Sequence, residues 1–193
     1  MAAKGSGWTL KKDRLPELER DMALLIAQEV LVGFPEDTTG RKDEDNSGIT
    51  TAALGYIHNN GQPEKNIPAR PFMEPGIAEA QDSLASTLGS VAKRFLRDGN
   101  KASIDQGFHR VGLKAQYAMR RKINEGIPPP LADATLRERA NRKGKGRKGA
   151  KLELELRAAG WTPSTDFAKP LIDTGQLRNA INYVVRPRKA RRK

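Results

Sequence analysis

The sequence predicts an α+β fold: a small mixed sheet packed with a long αα-hairpin, carrying an extended arm and a basic C-terminal tail. Three observations support this. Two helical stripes follow one another through residues 77–123 with only "RDGN" between them. Two short β-branched runs, "EVLVGFP" and "INYVVR", stand far apart in the chain, and four prolines crowd into residues 59–81. At 193 residues, a single domain spanning 1–193 with its own core is the economical organisation.

"DRLPELERDMALLIAQ" sets Leu15, Leu18, Met22 and Leu25 at helical spacing, predicting an amphipathic helix over roughly residues 14–28. "EVLVGFP" switches to a strand pattern that stops at Pro35, and "EDTTGRKDEDNSG" reads as a mobile loop or β-turn excursion. "ITTAALGYIHNNG" places Ala52, Ala53, Tyr56 and Ile57 on one helical face, with Gly61 able to stop the helix in the left-handed conformation. Pro63, Pro68, Pro71 and Pro75 then fix φ and remove four N–H donors, so residues 59–81 cannot form a central strand. They predict a stiff arm that positions Phe72 and Met73 and enters a helix at Pro75.

Ile77, Leu84, Leu88, Val91 and Phe95 recur at steps of seven, four, three and four, predicting a helix of about five turns. Ile104, Phe108, Val111, Ala115, Met119 and Ile123 form the next stripe, ended by "NEGIPPP". From Gly126 the pattern thins. Residues 128–160 hold prolines, a Gly/Lys/Arg run from Arg142 to Lys151 and one short helical stretch, "LELELRAAG", predicting an excursion that is disordered alone or ordered by a partner. Asp173 with Gln176 three residues on reads as a capping box, and Leu177, Ala180 and Ile181 supply a short apolar face. "INYVVR" is a strand broken by Pro187, and residues 186–193 form a basic tail.

The 35 Lys and Arg against 23 Asp and Glu leave a net charge of +12, which asks for a polyanionic neighbour, either nucleic acid or an acidic protein surface. Only 5% of residues are aromatic, a lean supply for a self-sufficient core, so burial against copies of the chain or against partners is expected. Cysteine is absent, which removes disulfides and thiolate chemistry. "MAAKGSGWTLKKDR" lacks an apolar core of signal-peptide length and no run approaches a membrane span, so a cytoplasmic product without a membrane partner is expected.

Catalytic chemistry finds little material. His58 and His109 are the only histidines, with no ligand spacing around them that would hold zinc. "DEDNSG" opens like a calcium loop, but its twelfth position is Leu54 where a bidentate Glu is required. "GKGRKGAK" lacks the Lys-Ser/Thr pair of a phosphate loop. No catalytic residue, metal site or cofactor is expected. The basic segments are more telling: Arg142, Lys143, Lys145, Arg147 and Lys148 form one cluster, and Arg186, Arg188, Lys189, Arg191, Arg192 and Lys193 a second. Each cation that neutralises a phosphate releases counterions, giving affinity without sequence preference. Neither cluster is interleaved with aromatics, so base stacking is not indicated.

Four blocks carry a family likeness: "VGFP" at 32–35, "YIHNNG" at 56–61, "IPARPFM" at 67–73 and "PLIDTGQLRNAINYVV" at 170–185. In this order and spacing the chain resembles the tail-completion or virion-morphogenesis proteins of long-tailed bacteriophages, a group that includes minor tail proteins of the Z type. Pro129, Leu131, Thr135, Arg139 and Gly144 match the family's connection before its last block, while Ala180 stands where many relatives carry Ser. The resemblance implies a non-enzymatic α+β protein of the virion neck, assembled in the host cytoplasm. It would form a homo-oligomeric ring, a hexamer by the usual symmetry of a tail, that meets tail terminator, tail tube and head–tail connector proteins around genomic DNA. The arm would then offer Ile67, Pro68, Arg70, Pro71, Phe72 and Met73 to a neighbour, or else Phe72 folds back as a lid on its own helix pair. The alternatives are a tail terminator or head-side adaptor and, from another class, a basic non-specific DNA-binding protein.

Overall fold

The computed structural model describes residues 15–35, 49–144 and 146–188. The chain runs α1 (Leu15–Ile26), β1 (Gln28–Gly33), α2 (Thr51–Asn60), a 3-10 turn at Pro63–Lys65, α3 (Met73–Asp98) and α4 (Lys101–Glu125). It continues through α5 (Asp133–Asn141), α6 (Gly146–Ala158), α7 (Gln176–Ala180) and β2 (Asn182–Pro187). The fold is α+β, mostly helical, around the antiparallel hairpin of α3 and α4.

The hairpin follows from its sequence. All six residues of the α4 stripe, Ile104 to Ile123, are buried. Between the helices Gly99 adopts φ 63°, where a side chain would be strained, and its N–H donates to Phe95 O. Asn100 Oδ1 then accepts from Ala102 N at 3.0 Å and caps α4. On α3, Val91 and Phe95 are buried but Leu88 is 40% exposed, because Thr87 takes the inward position instead. Its hydroxyl donates to Ser83 O at 2.7 Å and accepts from Lys114 Nζ at 2.7 Å. With 26 residues α3 makes about seven turns, two more than expected, since it starts at Met73 and holds Pro75 in its first turn.

The two strands pair antiparallel, Val30 opposite Val185 and Val32 opposite Tyr183. The sheet has two strands among the described residues, so the expected mixed sheet gives way to a purely antiparallel ribbon. Two strands alone are marginal in water, and this ribbon is stabilised by lying against α4. Gly112 permits the approach, because a Cβ there would sit 2.1 Å from the Tyr183 ring. Val30, Val32 and Val185 face the core, whereas Leu31 and Val184 face outward at 41% and 39% exposure.

Three local expectations change. Helix α1 forms where predicted, yet Leu15, Leu18 and Met22 are 64%, 41% and 53% exposed, and the helix packs through Leu24 and Leu25 near Phe95 and Leu96. Helix α2 turns Tyr56 outward and buries Thr51 and Gly55 instead, because the Phe34 ring lies where a Cβ on residue 55 would be. The capping box at Asp173 does not form: Gly175, at φ 84°, precedes α7, and the Asp173 carboxylate faces Arg142 at 3.1 Å. The predicted loop at 36–48 lies outside the described residues.

The largest correction concerns residues 128–160, which fold as the hairpin of α5 and α6 rather than as an excursion. Leu131, Leu136, Ala140, Ala150 and Ala168 form a small core there, with Leu154 against it. Small side chains let the two helices approach closely, so little apolar surface is needed and the helical stripe is faint in the sequence. Glu153, only 2% exposed, accepts from Arg157 Nε at 3.0 Å and Ser164 N at 2.8 Å, tying α6 to the chain that follows.

Candidate functional site

The proline arm ends inside the molecule. Asn59 Oδ1, at the end of α2, accepts from Phe72 N at 3.0 Å and Met73 N at 3.1 Å, holding two of the free donors at the start of α3. Phe72 is fully buried with Met119, Ile123, Ile127, Leu171 and Ile181, and meets the Phe34 ring edge-on at 6.2 Å between centroids. The expected docking tip is therefore the lid of the core. Met73 packs half-buried on the same cluster, and Ile67 is half-buried in a bridge with Gln62. Of the proposed interface residues only Pro68 and Pro71 are exposed.

Arg70 is buried as well. Its Nε and Nη2 donate to Pro129 O at 3.2 and 2.9 Å, and its backbone N donates to His58 O at 2.9 Å. One arginine thus joins the arm, α2 and the start of the 128–160 segment. Burial pushes the His58 imidazole below its ordinary value of 6.5, and the charges of Arg70 and Arg139 push it further in the same direction. The fold holds His58 neutral in a range where the unfolded chain takes up a proton. Stability is then lost as pH falls below about 6.5. The His58→Gln variant is expected to flatten that acid limb, checked by urea midpoints between about pH 7.5 and 5.

Arg139, 8% exposed, is the second buried guanidinium. Its Nη1 donates to Lys169 O and Ile172 O, both at 3.0 Å, and its Nη2 to Pro170 O at 2.8 Å. Arginine's planar fork suits this triple contact. Beside it lies a cleft of about 210 Å³ between the start of α6 and residues 166–173, with Asp166, Lys169 and Asp173 on its wall. No group of three metal-ligating side chains occurs among the described residues, and no described helix is long and apolar enough to cross a membrane.

The predicted phosphate contacts divide. Lys143, Arg147 and Lys148 are exposed around the α5–α6 connection, with Arg137 and Lys151 on the flanking helices, and none has a carboxylate partner among the described residues. Arg142 is committed to Asp173. Arg186 pairs with Glu29 at 2.8 Å across the ribbon, and the Arg188 backbone N donates to Ala27 O at 2.8 Å, so the tail begins as an extension of the strand pairing. Lys145, Lys189, Arg191, Arg192 and Lys193 lie outside the described residues.

Sequence reasoning missed the structural duties of Asn59, Arg70 and Glu153. Only Asn59 left a signal, as the polar pair before Gly61 that ends a helix. Comparison of the chain with family models, with curated proteins and with solved structures finds no match.

Proposed function

We propose that this chain is a non-enzymatic structural protein of the neck of a long-tailed bacteriophage, which completes the tail and helps join it to the head as a ring around the DNA channel. One observation supports this above others: the four blocks that carry the family likeness meet in one place. Val32 and Phe34 come from the first block, Phe72 and Met73 from the third, and Leu171, Ile172, Leu177 and Ile181 from the last. All pack in a single cluster, while Asn59 of the second block fastens the third. Blocks far apart in the chain thus specify one core, as a shared fold requires. Of the neck components, a tail-completion protein fits better than a tail terminator or head-side adaptor, because the four blocks resemble those of the tail-completion group.

The test is deletion of the coding sequence from the phage or prophage that carries it. Filled heads and finished but separate tails are expected by electron microscopy, with joining restored when the protein is supplied in trans. Joined, infectious particles without the protein would remove the proposal.

A second reading, a basic protein that binds DNA without sequence preference, is favoured by the unpaired cations around the α5–α6 connection. In the neck these would face the genome's path. Changing Lys143, Arg147, Lys148 and Lys151 together to Gln is expected to leave the melting temperature unchanged. It should lower the salt dependence of DNA binding by up to about 0.9 in the log–log slope per lost contact. Binding whose slope does not move would place the charge against acidic protein instead.

A further inference from the structure

We propose that the α5–α6 hairpin is latched to the rest of the subunit by a joint that opens on uptake of a proton, with His58 as the proton acceptor. The hairpin has its own small core, from Leu131 to Ala168, separate from the cluster around Phe72. Its entry and exit pass one point, where Thr165 Oγ1 donates to Gly126 O at 3.0 Å. Between the two cores the chain is held together by buried bases. Arg70 donates from the arm to Pro129 O at 2.9 Å, and Arg139 reaches from α5 to the carbonyls of Lys169, Pro170 and Ile172.

His58 stands in this joint on α2. Its carbonyl accepts from Arg70 N at 2.9 Å, and its Nδ1 is buried with no hydrogen-bond partner among the described residues. The charges that reach its ring are those of Arg70 and Arg139, both positive. These two guanidiniums also act on each other, since Arg139 disfavours the charge on Arg70, as burial does. Asp173, the carboxylate of this region, faces Arg142 at 3.1 Å and Arg139 at 3.9 Å. Helix α7, packed on α2, brings Arg178, which Asn124 Oδ1 holds at 3.0 Å. A proton on His58 thus adds a third cation to two buried ones and a buried N–H donor without an acceptor. Opening the joint lets water reach the ring, which then takes its proton near the ordinary value of 6.5, whereas the closed ring takes it only at lower pH. The closed form is therefore favoured above pH 6.5 and loses ground by up to about tenfold for each pH unit below it. The α3–α4 hairpin and the ribbon carry none of the three bases, so they stay folded while the joint opens. What moves is the surface that bears Lys143, Arg147 and Lys148. The device rests on no reading of what the subunit assembles with.

The experiment is amide exchange on the full chain at about pH 7.5, 6.5 and 5.5, each rate divided by its intrinsic value at that pH, with the two histidine rings followed by NMR over the same range. Protection of residues 127–141 is expected to fall by up to about tenfold between pH 7.5 and 5.5, while that of α3 and α4 holds. The midpoint of the loss is expected to follow the titration of His58 and not that of His109. His58→Gln, which cannot take up the proton, is expected to keep the protection of α5 flat with pH, and His109→Gln to behave as the parent does. Protection that holds at pH 5.5, a loss spread evenly over α3 and α4, a loss that persists in His58→Gln, or a midpoint that tracks His109 overturns the proposal. Should His58→Gln fold differently from the parent at pH 7.5, the two ring titrations of the parent set beside its own exchange still decide the matter.

Discussion

Replacing Phe72 by Ala is expected to destabilise the free subunit by about 3–5 kcal/mol, the range for removing a fully buried aromatic ring. The ring closes the cluster of Met119, Ile123, Ile127, Leu171 and Ile181, so its loss opens a cavity where the start of α3, the end of α4 and the segment before β2 meet. For a chain of this size that corresponds to a fall of roughly 6–20 °C in the melting temperature. A docking tip, the other role the sequence left open for Phe72, would instead give a stable subunit that fails to assemble, so the experiment separates the two roles. A variant that melts like the parent and does not assemble would put Phe72 in an interface.

The second large effect is expected at Arg139. Its guanidinium serves the carbonyls of Lys169, Pro170 and Ile172, of which Lys169 O also accepts from Ile172 N at 3.2 Å. Arg139→Ala leaves the Pro170 and Ile172 carbonyls to find water or remain unpaired, a loss of about 2–4 kcal/mol. Arg139→Lys is expected to recover little, since an ammonium cannot span three carbonyls as a planar fork does. Urea unfolding gives the magnitude, and amide exchange in α5 and α6 shows whether the loss begins there. Rapid exchange confined to the α3–α4 hairpin would contradict the assignment.

The α3–α4 hairpin and the two strands were legible because their apolar residues repeat at the period of the element that buries them. Ile104 to Ile123 is a stripe that only a helix can bury, and "INYVVR" alternates as a ribbon packed on one side must. The α5–α6 hairpin was illegible for the converse reason. Its core mixes three leucines with three alanines and buried charges, and in a one-dimensional pattern Glu153 and Arg157 look like any solvated pair. Only the three-dimensional path brings Ser164 to Glu153, and residues 169–172 to Arg139. The proline arm misled in another way: rigid geometry was correctly read, but rigidity does not say whether the tip points in or out. That was decided by Phe34, more than thirty residues earlier, whose ring edge meets Phe72. Charge was legible in amount and not in disposition, since Arg142 and Arg186 are paired within the chain and Lys143, Arg147 and Lys148 are not.

The ribbon of β1 and β2 also sets an order of events during synthesis. Gln28–Gly33 leaves the ribosome early, but the segment it pairs with is made about 150 residues later. At about 5–20 residues per second, the first strand waits roughly 8–30 s for its partner. The α3–α4 hairpin, whose contacts are local, can form within that interval and offer the surface on which the ribbon closes. A chain interrupted before Asn182 keeps Val30 and Val32 without strand partners, and Gly112 without the Tyr183 ring that covers it. Closure of the ribbon thus waits for Asn182–Pro187, and the packing on α4 is completed only once that strand has been made.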